Sequence, residues 1–238
     1  MREIMMEAGF PEDAVEDLLE KAEKLKENGK WETLMALAEE TMDAYPGKNL
    51  LDEKLEKAEA MEEKTGISRY TLDMLMLLQC WKVLKKRYEE KGMSVELFDN
   101  ALKDAAYKLQ ECRAVYGING TFVGGWNQGF FAMTRFALGR LQFEMLKYPF
   151  DDSFVQDGVT VKKGDPVINM HIPVQRTSPE GRGRGCHSSG GGIFRKRISR
   201  WKTSVCDGVL AFRYGSDEAF AGGKYKRICE KIYRSSGK

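Results

Sequence analysis

Apolar residues recur at helical spacing through roughly the first half of the chain. Ala14, Val15, Leu18, Leu19, Ala22 and Leu25 follow one another at three- and four-residue intervals, which predicts a helix entered at Pro11. Trp31, Leu34, Met35, Leu37 and Ala38 repeat the pattern until Tyr45-Pro46-Gly47 breaks it. A thin apolar stripe predicts one polar helix over Leu50 to Lys64, stopped by Gly66. Ser68 to Lys91 is the most apolar segment, carrying Leu72, Leu75, Leu78, Trp81 and Leu84, and predicts a core helix ended by Gly92. Ser94 stands where a cap belongs for the next helix, which runs to Tyr116-Gly117.

After Gly117 the pattern changes. Phe136 to Met145 alternates as a strand, setting Leu138, Arg140, Gln142 and Glu144 on one face and Gly139, Leu141 and Phe143 on the other. Asp157-Gly158 and Gly164-Asp165 are turn signals around Val159-Thr160-Val161, and Val167 to Pro173 predicts a second strong strand. Helices first and strands afterwards predict an α+β chain, with a helical N-terminal domain over residues 1–117 and a sheet domain opening at 118–173.

Composition then separates the last part from the rest. Val174 to Lys238 holds 15 Lys and Arg against 5 Asp and Glu, whereas residues 1–173 hold 23 against 31. Eleven of the 24 glycines also fall in those last 65 residues. An acidic, well-patterned body is followed by a basic Gly/Arg-rich tail for which disorder is the expectation, with Val209 to Tyr214 as a candidate strand. No apolar run is long enough to span a membrane, and Met1 to Ile4 leads into an acidic amphipathic segment rather than a signal peptide. Five cysteines at irregular spacing, without a C-x-x-C pair, give neither a disulfide framework nor a zinc site; a cytoplasmic protein without metal is the expectation.

Candidate chemistry lies on the strands. His171 can serve as a base because an ordinary imidazole titrates near neutrality, or it can be a strand histidine held by hydrogen bonds. Arg140, Gln142 and Glu144 can line an acceptor pocket, with Glu144 binding or deprotonating an amine, or can form an ion-pair network. Trp126 can stack on a ligand or simply pack. In the tail, Gly181 to Gly185 and Arg195-Lys196-Arg197 lack the spacing and the preceding strand of a phosphate-binding loop.

Four segments carry a resemblance: Gly66-Ile67-Ser68-Arg69-Tyr70-Thr71-Leu72, Glu111 to Gly117, Thr134 to Glu144 and Asp165 to Pro173. Together they resemble a bacterial family of acyltransferase-domain proteins, which pair a helical N-acyltransferase N-terminal domain with a GNAT-like C-terminal domain. The resemblance covers most of residues 1–173. It implies acyl transfer from acyl-CoA or acetyl-CoA to a small-molecule amine, with Val167 to Pro173 as the strand feeding the CoA-binding loop. Asn169, Ile172 and Pro173 are thereby the implied cofactor-binding residues.

Family sequences continue after His-Ile-Pro with a loop like Ser-Gly-Pro-Leu-Thr, where this chain has Val174-Gln175-Arg176-Thr177. Back-translating Val174 to Pro179 and reading one nucleotide later permits Ser-Ser-Gly-Pro-Leu. The same shift over Val209 to Phe212 permits the family's Ser-Trp-Leu-Leu. The expectation is a frameshifted reading from about residue 174 onward, with an impaired CoA site. The alternative is a non-catalytic protein whose helical module and basic tail contact a protein or nucleic acid.

Overall fold

A computed structural model describes residues 1–139, 141–156, 159–171, 203–206 and 209–213. The chain divides into two compact units, with the change between Gly139 and Arg140.

The first unit begins with seven helices: α1 (Arg2–Ala8), α2 (Glu12–Glu27), α3 (Trp31–Ala44), α4 (Leu51–Glu59), α5 (Glu62–Thr65), α6 (Arg69–Glu90) and α7 (Val95–Tyr116). A 3-10 turn over Gly124–Asn127, α8 (Gln128–Phe131) and strand β1 (Arg135–Leu138) complete it. Helix α6 is the centre, because every residue from Thr71 to Leu78 is buried. A helix apolar on most sides needs partners on most sides, and α1, α2, α3, α4 and α7 all pack against it. Trp81 anchors the core at 1% exposure, within 5.4 to 6.1 Å of the rings of Phe98, Phe130 and Phe131. Its indole N–H donates to Asn127 Oδ1 at 3.2 Å. Two free thiols, Cys80 and Cys112, are buried in the same unit. Burial pushes both upward, Cys112 to about 11.

Three details depart from the sequence reading. The single helix over Leu50 to Lys64 is two, since the chain tightens at Ala60 and Met61 to bury the Met61 side chain before α5 starts. Ser94 occupies the cap position of α7, yet its hydroxyl makes no capping bond. The strand over Phe136 to Met145 is interrupted at Gly139, whose φ of 56° lies in the left-handed region that side chains disfavour. The face that joined Leu138 to Gln142 is therefore not continuous.

The loop after α7 is clamped to the start of α6. Thr121 N–H donates to Tyr70 O at 3.0 Å, and Thr71 Oγ1 donates to Asn119 O at 2.9 Å. Between them, a Cβ on Gly120 would stand 2.5 Å from both C and O of Tyr70 and 2.9 Å from Thr71 N. These are helix backbone atoms and cannot swing aside. Gly120→Ala is expected to cost about 1–3 kcal/mol, read as a lower urea midpoint; an unchanged midpoint would show that the loop yields freely.

The second unit contains β2 (Leu141–Lys147), the hairpin strands β3 (Phe154–Gln156) and β4 (Val159–Val161), then β5 (Pro166–His171), β6 (Thr203–Cys206) and β7 (Val209–Arg213). Its ladder is antiparallel in the order β2–β5–β7–β6. The candidate strand at Val209 to Tyr214 is thus observed as β7, paired with β5 through Val167↔Arg213 and Ile168↔Phe212. The Gly164-Asp165 turn leads into β5, with Asp165 Oδ2 accepting the Lys162 N–H at 3.0 Å. Most of the tail, including the Gly/Arg segment at 181–185, lies outside the described residues.

Candidate active site

Register decides which side chains meet on β2 and β5. Gln142 pairs with His171, Glu144 with Asn169 and Leu146 with Val167. Residues opposite one another in an antiparallel ladder project from the same face, and so do alternate residues of one strand. One face therefore carries Gln142, Glu144, Asn169 and His171 in succession. It then turns apolar at Leu146 and Val167, which pack with Tyr148 and Val161.

The polar end is bonded together. His171 Nε2 lies 3.0 Å from Glu144 Oε2 and 3.2 Å from the Asn169 amide nitrogen. The two ionisable side chains are 22% and 20% exposed, so both remain within reach of solvent and of a small solute. Gln142, opposite His171, is buried at 2%. A carboxylate on an imidazole N–H holds the ring in place and offsets the charge that develops when the ring takes a proton. The arrangement can accept a proton from a nucleophile.

Of the residues singled out in the sequence, Glu144, Gln142, His171 and Asn169 are brought together. The bond from Asn169 to the imidazole had no signal in the sequence, since it depends on pairing register. Arg140, Ile172 and Pro173 lie outside the described residues. Trp126 belongs to the other unit, where the Arg135 guanidinium covers its ring at 3.9 Å and donates to its carbonyl oxygen at 2.6 Å. Its ring faces a protein cation.

A second group was missed altogether. Asp73 lies on α6 at 3% exposure, and its Oδ1 has no hydrogen-bond partner among the described residues. Burial pushes its carboxyl up to about 8; Glu59 adds to the rise and Arg69 opposes it. An aspartate between Leu72 and Met74 in the most apolar helix was the available signal.

Among the described residues no group of three or more His, Cys, Asp or Glu side chains is placed to hold a metal ion, and no helix is long and apolar enough to cross a membrane.

The chain belongs to the family of the N-acyltransferase N-terminal domain, whose sequence signature matches residues 1–133. Similar solved structures are an acyltransferase in complex with decanoyl-CoA and teicoplanin, and a mutant acyltransferase in complex with octanoyl-CoA. Each has a TM-score of 0.53 at 16% identity, covering 75% of this chain and 51% of that one. An acyltransferase in complex with CoA and 10C-teicoplanin gives a TM-score of 0.51 at 17% identity. The chain spans about half the length of these proteins, and at such identity the likeness is one of fold. No curated protein matches the chain significantly.

Proposed function

We propose that this chain is built as an acyl-CoA-dependent N-acyltransferase with a GNAT-like second unit, and that it is impaired as encoded. The observation that carries the reading is the 3.0 Å contact between His171 and Glu144 on a partly exposed sheet face. The amine nitrogen attacks the thioester carbonyl, a C–N bond forms and the C–S bond breaks. The CoA thiolate leaves and takes up a proton, while His171 accepts the proton lost by the amine and Glu144 holds the ring. Asn169, Ile172 and Pro173 lie on the stretch that leads toward the CoA loop. The similar structures that bind CoA, acyl-CoA and a glycopeptide support this donor and an amine-bearing small-molecule acceptor.

The impairment follows from the frame reading. From about residue 174 the chain replaces the loop and helix N-terminus that would present backbone N–H groups to the CoA pyrophosphate. Release of CoA thiol from octanoyl-CoA and acetyl-CoA, against a panel of primary amines, tests the proposal on three proteins: this chain, a version with the frame restored, and that version carrying His171→Gln. The restored chain is expected to release CoA only when amine is present. His171→Gln is expected to slow it about 10²-fold, and the encoded chain to remain near background. Equal rates with and without His171 would remove the base from the site. Equal rates for the encoded and restored chains would remove the frame account.

The basic tail, with 15 cations against 5 anions, favours a second reading as a non-catalytic polyanion binder. Retention on nucleic acid at low salt, lost steeply as salt rises, is its signature.

A further inference from the structure

We propose that Asp73 on α6 and Glu59 at the end of α4 hold one proton between their carboxyl groups, a bond that joins the two helices and loosens as pH rises. The inference concerns the helical unit and is independent of the acyl-transfer reading.

Placement brings the two groups together. Helix α4 packs on α6, burying Leu51, Leu55 and Ala58 on the way. Glu59 is its last residue and is half-buried, whereas Asp73 lies further in at 3% exposure. A side-chain hydrogen bond links the two carboxyl groups. Ionised carboxylates only accept, so this bond exists while one of the pair carries a proton. Two bare charges at the same place would repel each other and leave it broken.

The surroundings favour keeping that proton. As a carboxylate, Asp73 would bury an oxygen, Oδ1, that no donor among the described residues reaches. The titratable groups that act with it are Glu59 from α4, Arg69 from its own helix and Cys112 from α7. Glu59 brings a like charge, and it does so at the carbonyl end of α4, where a helix disfavours negative charge. Cys112 is a buried thiol, pushed up to about 11 by burial first and by Asp73 second, and offers no positive charge. Arg69 opposes the rise, but it is exposed and stands over the ring of Tyr70 at 5.4 Å. Burial and Glu59 prevail, and the Asp73 carboxyl is raised to about 8. A proton held between two interacting acids belongs to the pair. Once α4 lifts away, Asp73 meets water and gives up its proton in the ordinary aspartate range. Each rise in pH up to about 8 therefore favours the opened form.

Side-chain carboxyl carbon shifts of the 13C-labelled full chain, followed from pH 5 to 9, test the pair. The Asp73 and Glu59 signals are assigned by their absence from Asp73→Asn and Glu59→Gln. Both signals are expected to move together in a step near pH 8. Glu59→Gln is expected to lower the Asp73 step by about one pH unit or more. An unchanged step in that variant would mean that burial alone holds the proton, and would overturn the proposal. So would a Glu59 signal that stays still while Asp73 titrates. Hydrogen exchange of the α4 amides, corrected for the intrinsic effect of pH, reads the loosening. Between pH 6 and 8 opening in the parent is expected to rise up to about tenfold per pH unit relative to Asp73→Asn. A ratio that stays constant with pH would detach α4 from the pair. Should Asp73→Asn fail to fold, the parent and Glu59→Gln spectra decide, with the Asp73 signal assigned through its bonded neighbours.

Discussion

Replacing Trp81 by alanine is expected to lower unfolding free energy by about 3–5 kcal/mol, a large part of what holds a domain of this size together. The indole is 1% exposed and sits where α6, α7 and α8 converge, with the rings of Phe98, Phe130 and Phe131 around it. Three aromatic partners leave little freedom for the surroundings to collapse into the space, so the cavity cost adds to the lost transfer energy. Truncation also strands Asn127 Oδ1, which accepts the indole N–H while the same amide donates to Gly124 O at 3.0 Å. Trp81→Phe keeps most of the ring surface and loses mainly that hydrogen bond, so its expected cost is about 1–2 kcal/mol. Urea unfolding followed by far-ultraviolet circular dichroism separates the two variants. A loss below about 1 kcal/mol for Trp81→Ala would contradict the packing described.

Asp73 gives the second large effect, and it depends on pH. Its carboxyl is raised from the ordinary aspartate value to about 8 by burial on α6, with Glu59 adding to the rise. The folded chain therefore keeps a proton that the unfolded chain gives up above about pH 4. A raised carboxyl pKa contributes no penalty below the unfolded value. Stability falls as pH climbs from about 4 toward 8 and levels off above it, at a slope of at most about 1.4 kcal/mol per pH unit. The protonated acid presents a neutral side chain, and Asp73→Asn imitates that form at every pH. The variant is expected to match the parent below about pH 4 and to exceed it in urea midpoint by a margin that grows up to about pH 8. Parallel profiles for both proteins would show that the carboxylate reaches water.

The helical unit was largely legible in the sequence because its signal is periodic and local. Helix α6 could be read from Leu72 through Leu84, and the end of α7 from Tyr116-Gly117. What escaped was decided at single residues against the general pattern. Ala60 and Met61 divide one apolar stripe into two helices, although nothing in the spacing marks the break. Gly139 interrupts an alternation that looks continuous from Phe136 to Met145. The candidate site was half legible: alternation placed Gln142 and Glu144 together, and composition singled out His171. Their meeting with Asn169 required the pairing of Gln142 with His171, a contact between residues far apart in the chain that no local pattern encodes. Asp73 went unread for the opposite reason, since an apolar periodicity draws attention to the residues that obey it.

Cys80 and Cys112 lend the helical unit a use of their own. Each is buried on a central helix with its thiol held above the usual range, and the thiolate is the form that reacts. Alkylating reagents reach them only when α6 or α7 loosens from its neighbours. Their labelling times are therefore two native clocks, timing how often each helix opens without any probe having to be introduced.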